Sequence, residues 1–100
     1  MQTIIKPAYN EEWRLCEFKR PDGRGQLGEG EIIVSAAIIC KDSKTQIATT
    51  AITSGVTPIN ETQVLYQLKG GTRAQRFIMQ IQIITSGGNK LEEAFSLEIV

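Results

Sequence analysis

The residues best suited to chemistry in this 100-residue sequence are a glycine cluster, two adjacent carboxylate pairs, a few neighbouring cations and two thiols. Gly23-Arg24-Gly25-Gln26-Leu27-Gly28 has the glycine spacing with which dinucleotide-binding folds bring backbone N–H groups against a pyrophosphate. That chemistry needs a buried strand before the glycines and a helix after them. Here Lys19-Arg20-Pro21-Asp22 precede and the strand-like run Ile32 to Cys40 follows. A kinase-type glycine loop does lie between strands, but the chain has no room for the lobes that hold the metal and the catalytic base. The segment is therefore expected to be an exposed loop, and no cofactor is expected. Glu11-Glu12 and Glu92-Glu93 are sequence neighbours, so in a strand the members of each pair point to opposite faces and cannot share a substrate. The chain has no His, which removes the commonest general base and metal ligand. Without a Ser-x-x-Lys arrangement, no hydroxyl has an evident base either. A non-enzymatic protein with no metal site and no small-molecule substrate is the expectation.

Lys69, Arg73 and Arg76 form a small basic group that suits a partner's acidic rim or, as preferred here, a solvated strand entrance. Cys16 and Cys40 read as reduced core residues in preference to a bridged pair. Eleven basic residues balance eleven acidic ones, so no net field gathers nucleic acid. The longest apolar stretch, Ile32 to Cys40, is interrupted by Ser35 and is about half the length of a membrane-spanning helix, so no membrane partner is expected. Met1 to Pro7 shows no basic, apolar and small-residue signal pattern, so secretion by that route is not expected. Asn60-Glu61-Thr62 matches a glycosylation acceptor but reads as a polar turn.

The elements that would position these residues are mostly strands. From Glu31 onward the pattern alternates in period two between short polar or glycine-bearing turns. Glu31 to Cys40 is apolar on both faces, with Ile32, Val34, Ala36, Ile38 and Cys40 on one and Ile33, Ala37 and Ile39 on the other, as suits a central strand. Lys41 to Lys44 turns the chain, and the Thr-rich Gln46 to Thr53 returns to complete a hairpin. Ser54 to Asn60, punctuated by Gly55 and Pro58, is expected to be a loop. Gln63 to Leu68 places Val64, Tyr66 and Leu68 on one face. After a turn at Lys69-Gly70-Gly71-Thr72, Phe77, Met79, Ile81 and Ile83 share a wholly apolar face opposite Ile78, Gln80, Gln82 and Ile84. Ser86 to Asn89 supplies a tight hairpin. A last strand points Phe95, Leu97 and Ile99 inward.

Asn10 to Phe18 fits either a short capped helix or a strand bearing Trp13 and Leu15 on one face, the strand being preferred. Trp13 itself suits core or interface. With an opening strand near Thr3 to Lys6, the count is about seven antiparallel strands in one domain spanning 1–100, the all-β pattern of an Ig-like β-sandwich. The expected contact surface is the mixed strand face Ile78, Gln80, Gln82 and Ile84, joined by Arg24, Gln26 and Leu27 of the loop Pro21 to Gly30.

As an ordered set, Lys6-Pro7, Glu11-Glu12-Trp13, the run from Leu27 to Ser35, Leu68-Lys69-Gly70-Gly71-Thr72 and Ile83-Ile84-Thr85-Ser86-Gly87-Gly88 resemble a family of small bacteriophage virion proteins. These are Ig-like β-sandwiches encoded with head–tail and tail genes and often described as fiber-tail adaptor proteins. The resemblance covers most of the chain, although Lys41 to Thr53 lacks the Trp and Gly usual in that hairpin and the Pro21 to Gly25 loop is longer than typical. It implies a rigid adaptor in the virion, made in the bacterial host cytoplasm, that docks on other virion proteins and on copies of itself. It carries over no catalytic residue. The alternative from the same fold is an adhesion or ligand-binding module at a cell surface.

Overall fold

The computed structural model describes residues 2–18, 27 and 30–100. Eight strands follow in order: β1 (Gln2–Lys6), β2 (Glu12–Glu17), β3 (Ile33–Asp42), β4 (Ala48–Thr49), β5 (Thr53–Ile59), β6 (Gln63–Leu68), β7 (Arg76–Thr85) and β8 (Lys90–Ile99). They form a five-stranded sheet, β1-β8-β7-β3-β4, and a three-stranded sheet, β2-β6-β5. Among the described residues there is no helix, and the chain is all-β as its alternation requires.

The core is built from the inward positions of both sheets. Phe77, Met79, Ile81 and Ile83 of β7 bury one face, with Leu97 and Ile99 of β8 and Ile4 of β1 beside them. Cys16 of β2 and Val64, Tyr66 and Leu68 of β6 complete the same apolar cluster from the second sheet. For β6, β7 and β8 the period-two pattern predicts these faces, because burying one side of a pleated strand selects every second residue. Asn10 to Phe18 settles as the strand β2, and both thiols are buried and unbridged.

The turns follow their residues. Asn60 and Glu61 both have positive φ (48° and 64°) in the three-residue connection between Ile59 and Gln63, where the Thr62 amide donates to the Asn60 carbonyl at 2.7 Å. At the β7–β8 hairpin the Gly88 amide, at φ 80°, donates to the Thr85 carbonyl at 3.0 Å. After β3 the amides of Thr45 and Lys44 donate to Asp42 Oδ1 at 3.0 and 2.8 Å, and these bonds hold the Asp42 carboxyl below its ordinary pKa. Gly71 has φ 93° and lies against the last strand, so a Cβ there would stand 2.9 Å from Ile99 Cγ1. Only glycine meets both demands.

Four expectations need correction. The strands are not all antiparallel, since β1 runs parallel to β8 with Ile4 opposite Leu97. The two are far apart in sequence, so no hairpin forces their direction. Eight strands are described instead of about seven: Gln46 to Thr53 is not one returning strand, and a further strand stands where a loop was expected. Gln46 takes φ 61°, only Ala48–Thr49 pair with β3, and the chain then crosses to the other sheet through the buried Ile52. Ser54 to Asn60 is not a loop but most of β5. Its Gly55 sits at a register shift between Ser54 and Val56, and Pro58 is tolerated because β5 lies at an edge. In β3, finally, a bulge between Ile33 and Ser35 changes the phase. Ile33 is buried together with Cys40 while Val34 faces out, 60% exposed.

Candidate docking surface

Ile78, Gln80, Gln82 and Ile84 alternate along the outer face of β7, in the middle of the five-stranded sheet. Register extends that row sideways. Lys41 and Ser96 flank Ile78, Ile39 and Ala94 flank Gln80, Ala37 and Glu92 flank Gln82, and Ser35 and Lys90 flank Ile84. Both neighbours of β7 are ten-residue strands, so the strip rests on the best-paired backbone in the molecule and is held rigid.

Gln82 Nε2 donates to Glu92 Oε1 at 2.9 Å, which fixes the amide and leaves its carbonyl oxygen as an acceptor. Ile84 is exposed, and with Val34 and Ile32 it places three accessible aliphatic side chains at one end of the face. A shallow depression of about 500 Å³ lies there, walled by Ala37, Gln82, Ile84 and Lys90. At the other end Arg76 and Glu98 pair loosely at 3.7 Å, an exposed contact of little energetic consequence. The strip itself carries no charge. Two adjacent amides between two aliphatic groups match the mixed polarity of a protein surface.

Of the expected contact residues, the structure brings together Ile78, Gln80, Gln82 and Ile84, with Ile78 and Gln80 half-buried by their neighbours. Leu27 departs from the expectation. It is 8% exposed and belongs to the core, tied in by its amide to the Phe18 carbonyl at 3.2 Å, so its side chain is not offered to a partner. Arg24 and Gln26, like Gly23, Gly25 and Gly28 of the glycine cluster, lie outside the described residues. Among the described residues no group of three or more Cys, Asp or Glu is placed to hold a metal, and no helix is long and apolar enough to cross a membrane.

Sequence reasoning left Trp13 undecided, and the structure places it on the outer face of the three-stranded sheet, 57% exposed. Its ring reaches across to Gly55, where an added Cβ would stand 3.1 Å from Trp13 Cη2. The missing signal was the phase of β2, which Glu12, Arg14 and Cys16 obscure by placing two charged residues on the inward face. Arg14 Nη2 contacts the Ile5 carbonyl and Glu12 Oε1, each at 3.4 Å, while its Nε is buried with no hydrogen-bond partner among the described residues.

Two buried groups ionise late. Burial pushes the Cys40 thiol from 9.0 up to about 11. Burial also pushes the Tyr66 phenol from 10.0 up to about 12, with nearby Cys16 adding to the rise and Arg14 opposing it. In each case the unfolded chain loses its proton first. The stabilisation is therefore complete below the unfolded pKa and is lost as pH rises towards the folded one. The thermal midpoint should stay flat from about pH 7 to 8.5 and fall steadily above about pH 9. The Cys40→Ala, Tyr66→Phe double variant should show a shallower fall, and a wild-type midpoint that held constant to about pH 11 would refute the assignment.

No family model matches the sequence, and no curated protein matches it.

Proposed function

We propose that this chain is a non-enzymatic structural protein of a bacteriophage or prophage particle, acting as a tail-fiber or head–tail adaptor by docking on other virion proteins. In this reading its two sheets form an Ig-like β-sandwich, and it is made in the host cytoplasm before it enters the virion. The observation that carries the reading is the uncharged strip Ile78, Gln80, Gln82 and Ile84 on the most fully paired part of the larger sheet. Supporting it is the resemblance of the ordered turn-and-strand motifs, from Lys6-Pro7 to Ser86-Gly87-Gly88, to those of small virion proteins. Rigidity suits an adaptor, since a surface already ordered loses little conformational entropy when it docks.

The test is the composition of particles produced by a host carrying the coding sequence. Mass spectrometry of purified particles should find the chain at a fixed multiple of the particle symmetry, and its absence from intact particles would rule the reading out. In the same system Ile84→Arg with Gln82→Arg should leave the isolated protein's thermal midpoint within about 3 °C of wild type, as surface changes do. Incorporation into particles should fall by about tenfold or more. Unchanged incorporation would move the contact away from this face.

A further inference from the structure

Among the described residues four strands end a sheet: β1 and β4 in the larger sheet, β2 and β5 in the smaller. Unpaired edges recruit other strands, and proteins blunt them with inward charges, Pro, bulges or brevity. Three of these edges are blunted. β1 turns Lys6 fully inward, is followed by Pro7, and has the Ile5 carbonyl occupied by Arg14. β4 is two residues long and covers only Cys40 and Lys41 of β3, whose remaining edge carries the bulge between Ile33 and Ser35. β5 carries the Gly55 register shift and Pro58. β2 differs: it has six residues in unbroken register with β6, no Gly, no Pro and no bulge, and it presents Trp13 and Leu15 outward, 57% and 53% exposed.

Two of the inward positions of β2 are charged, with Glu12 beside Arg14. Such charges repel an arbitrary apolar strand, so the edge is selective. A second copy of the same strand, antiparallel across a two-fold axis, pairs residues whose numbers have a constant sum. Centred on Arg14, the pairing sets the two guanidinium groups against each other. Centred on Leu15, it places Arg14 opposite Cys16 and leaves the charges unmatched. Centred on Trp13, it places Glu12 of each copy opposite Arg14 of the other, twice over, and such cross-strand opposite-charge pairs are favourable. Arg14 is also short of acceptors in the single chain, with two contacts at 3.4 Å and a buried Nε that has no partner among the described residues. A facing carboxylate supplies the planar, bidentate acceptor that a guanidinium fits.

We infer that β2 is a homodimerisation edge: two copies pair antiparallel about Trp13, Glu12 of each meets Arg14 of the other, and the smaller sheets join into one six-stranded sheet. This stands on the β2 edge alone and is independent of any role in a virion. The overlap is short, Asn10 to Cys16, so the dimer is a weak one with a Kd on the order of 10 μM.

Sedimentation velocity on the full chain from about 1 to about 500 μM should show a monomer–dimer equilibrium. Glu12→Arg and Arg14→Glu, each alone, place like charges across both pairs and should raise Kd by about tenfold or more. Mixing those two variants makes every charge meet its opposite, so heterodimers should form where neither variant dimerises by itself. A wild type that stays monomeric throughout, or a dimer whose Kd neither variant nor mixture alters, would overturn the inference. Should a variant fail to fold, wild-type hydrogen exchange still decides. Those amides of residues 12–15 that point away from β6 should gain protection with concentration and those of β5 should not, while equal protection at all concentrations would refute the pairing.

Discussion

Lys6→Met should lower the unfolding free energy by about 3 kcal/mol, because it strips the donor from carbonyls that the ammonium now serves. Lys6 is fully buried, and its Nζ donates to the Gly70 carbonyl at 2.7 Å and the Pro7 carbonyl at 2.9 Å, with Ala8 at 3.4 Å. Met fills nearly the same volume, so the loss isolates the hydrogen bonds from any cavity. Each acceptor left unsatisfied costs about 1–3 kcal/mol, and the two short bonds set the total. For a domain of this size that corresponds to a midpoint lowered by about 15 °C. The Gly70 bond is also the one that ties β1 to the β6–β7 turn, across most of the sequence. A midpoint within about 3 °C of wild type would mean that these carbonyls find other donors.

Leu97→Ala is expected to cost about 2–5 kcal/mol, from lost burial plus the cavity left behind. Leu97 is wholly buried, opposite Phe77 on β7 and Ile4 on β1, so it closes the gap between the antiparallel and the parallel pairings of the larger sheet. The strand pairs around it are long and leave the site little freedom to collapse, which places the expected loss in the upper half of that range. Ile84→Ala removes the same number of carbons from the same sheet, but from its outer face at 43% exposure, and should cost under about 1 kcal/mol. Denaturant unfolding of both variants compares them directly. Equal losses would mean that the inward and outward faces of the sheet are wrongly assigned.

Much of this architecture was legible because the pleat has a period of two. Phe77 to Ile84 could be sorted into a buried and an outward set before any neighbour was known, and the outward set is the candidate docking strip. The hairpin at Ser86 to Asn89 and the turn at Lys69 to Thr72 were equally legible, since their glycines take positive φ at Gly70, Gly71 and Gly88. Leu27 was not legible as a core residue, because a lone Leu among glycines carries no periodicity.

By itself, then, the order of residues determined an all-β chain, the inward face of β6 and β7 and the position of most turns, all of them consequences of local geometry. Tertiary structure alone decided the rest. The direction of β1 against β8, the crossing from β4 to β5, and the bulge that turns Val34 outward depend on partners distant in sequence. So does the burial of Lys6, a residue type that local patterning places in water and whose one sequence-distant acceptor is the Gly70 carbonyl of another strand connection. The edge position of β2 among the described residues belongs to the same class. An edge is defined by which strand is not beside it, and no local pattern in Glu12 to Glu17 encodes that.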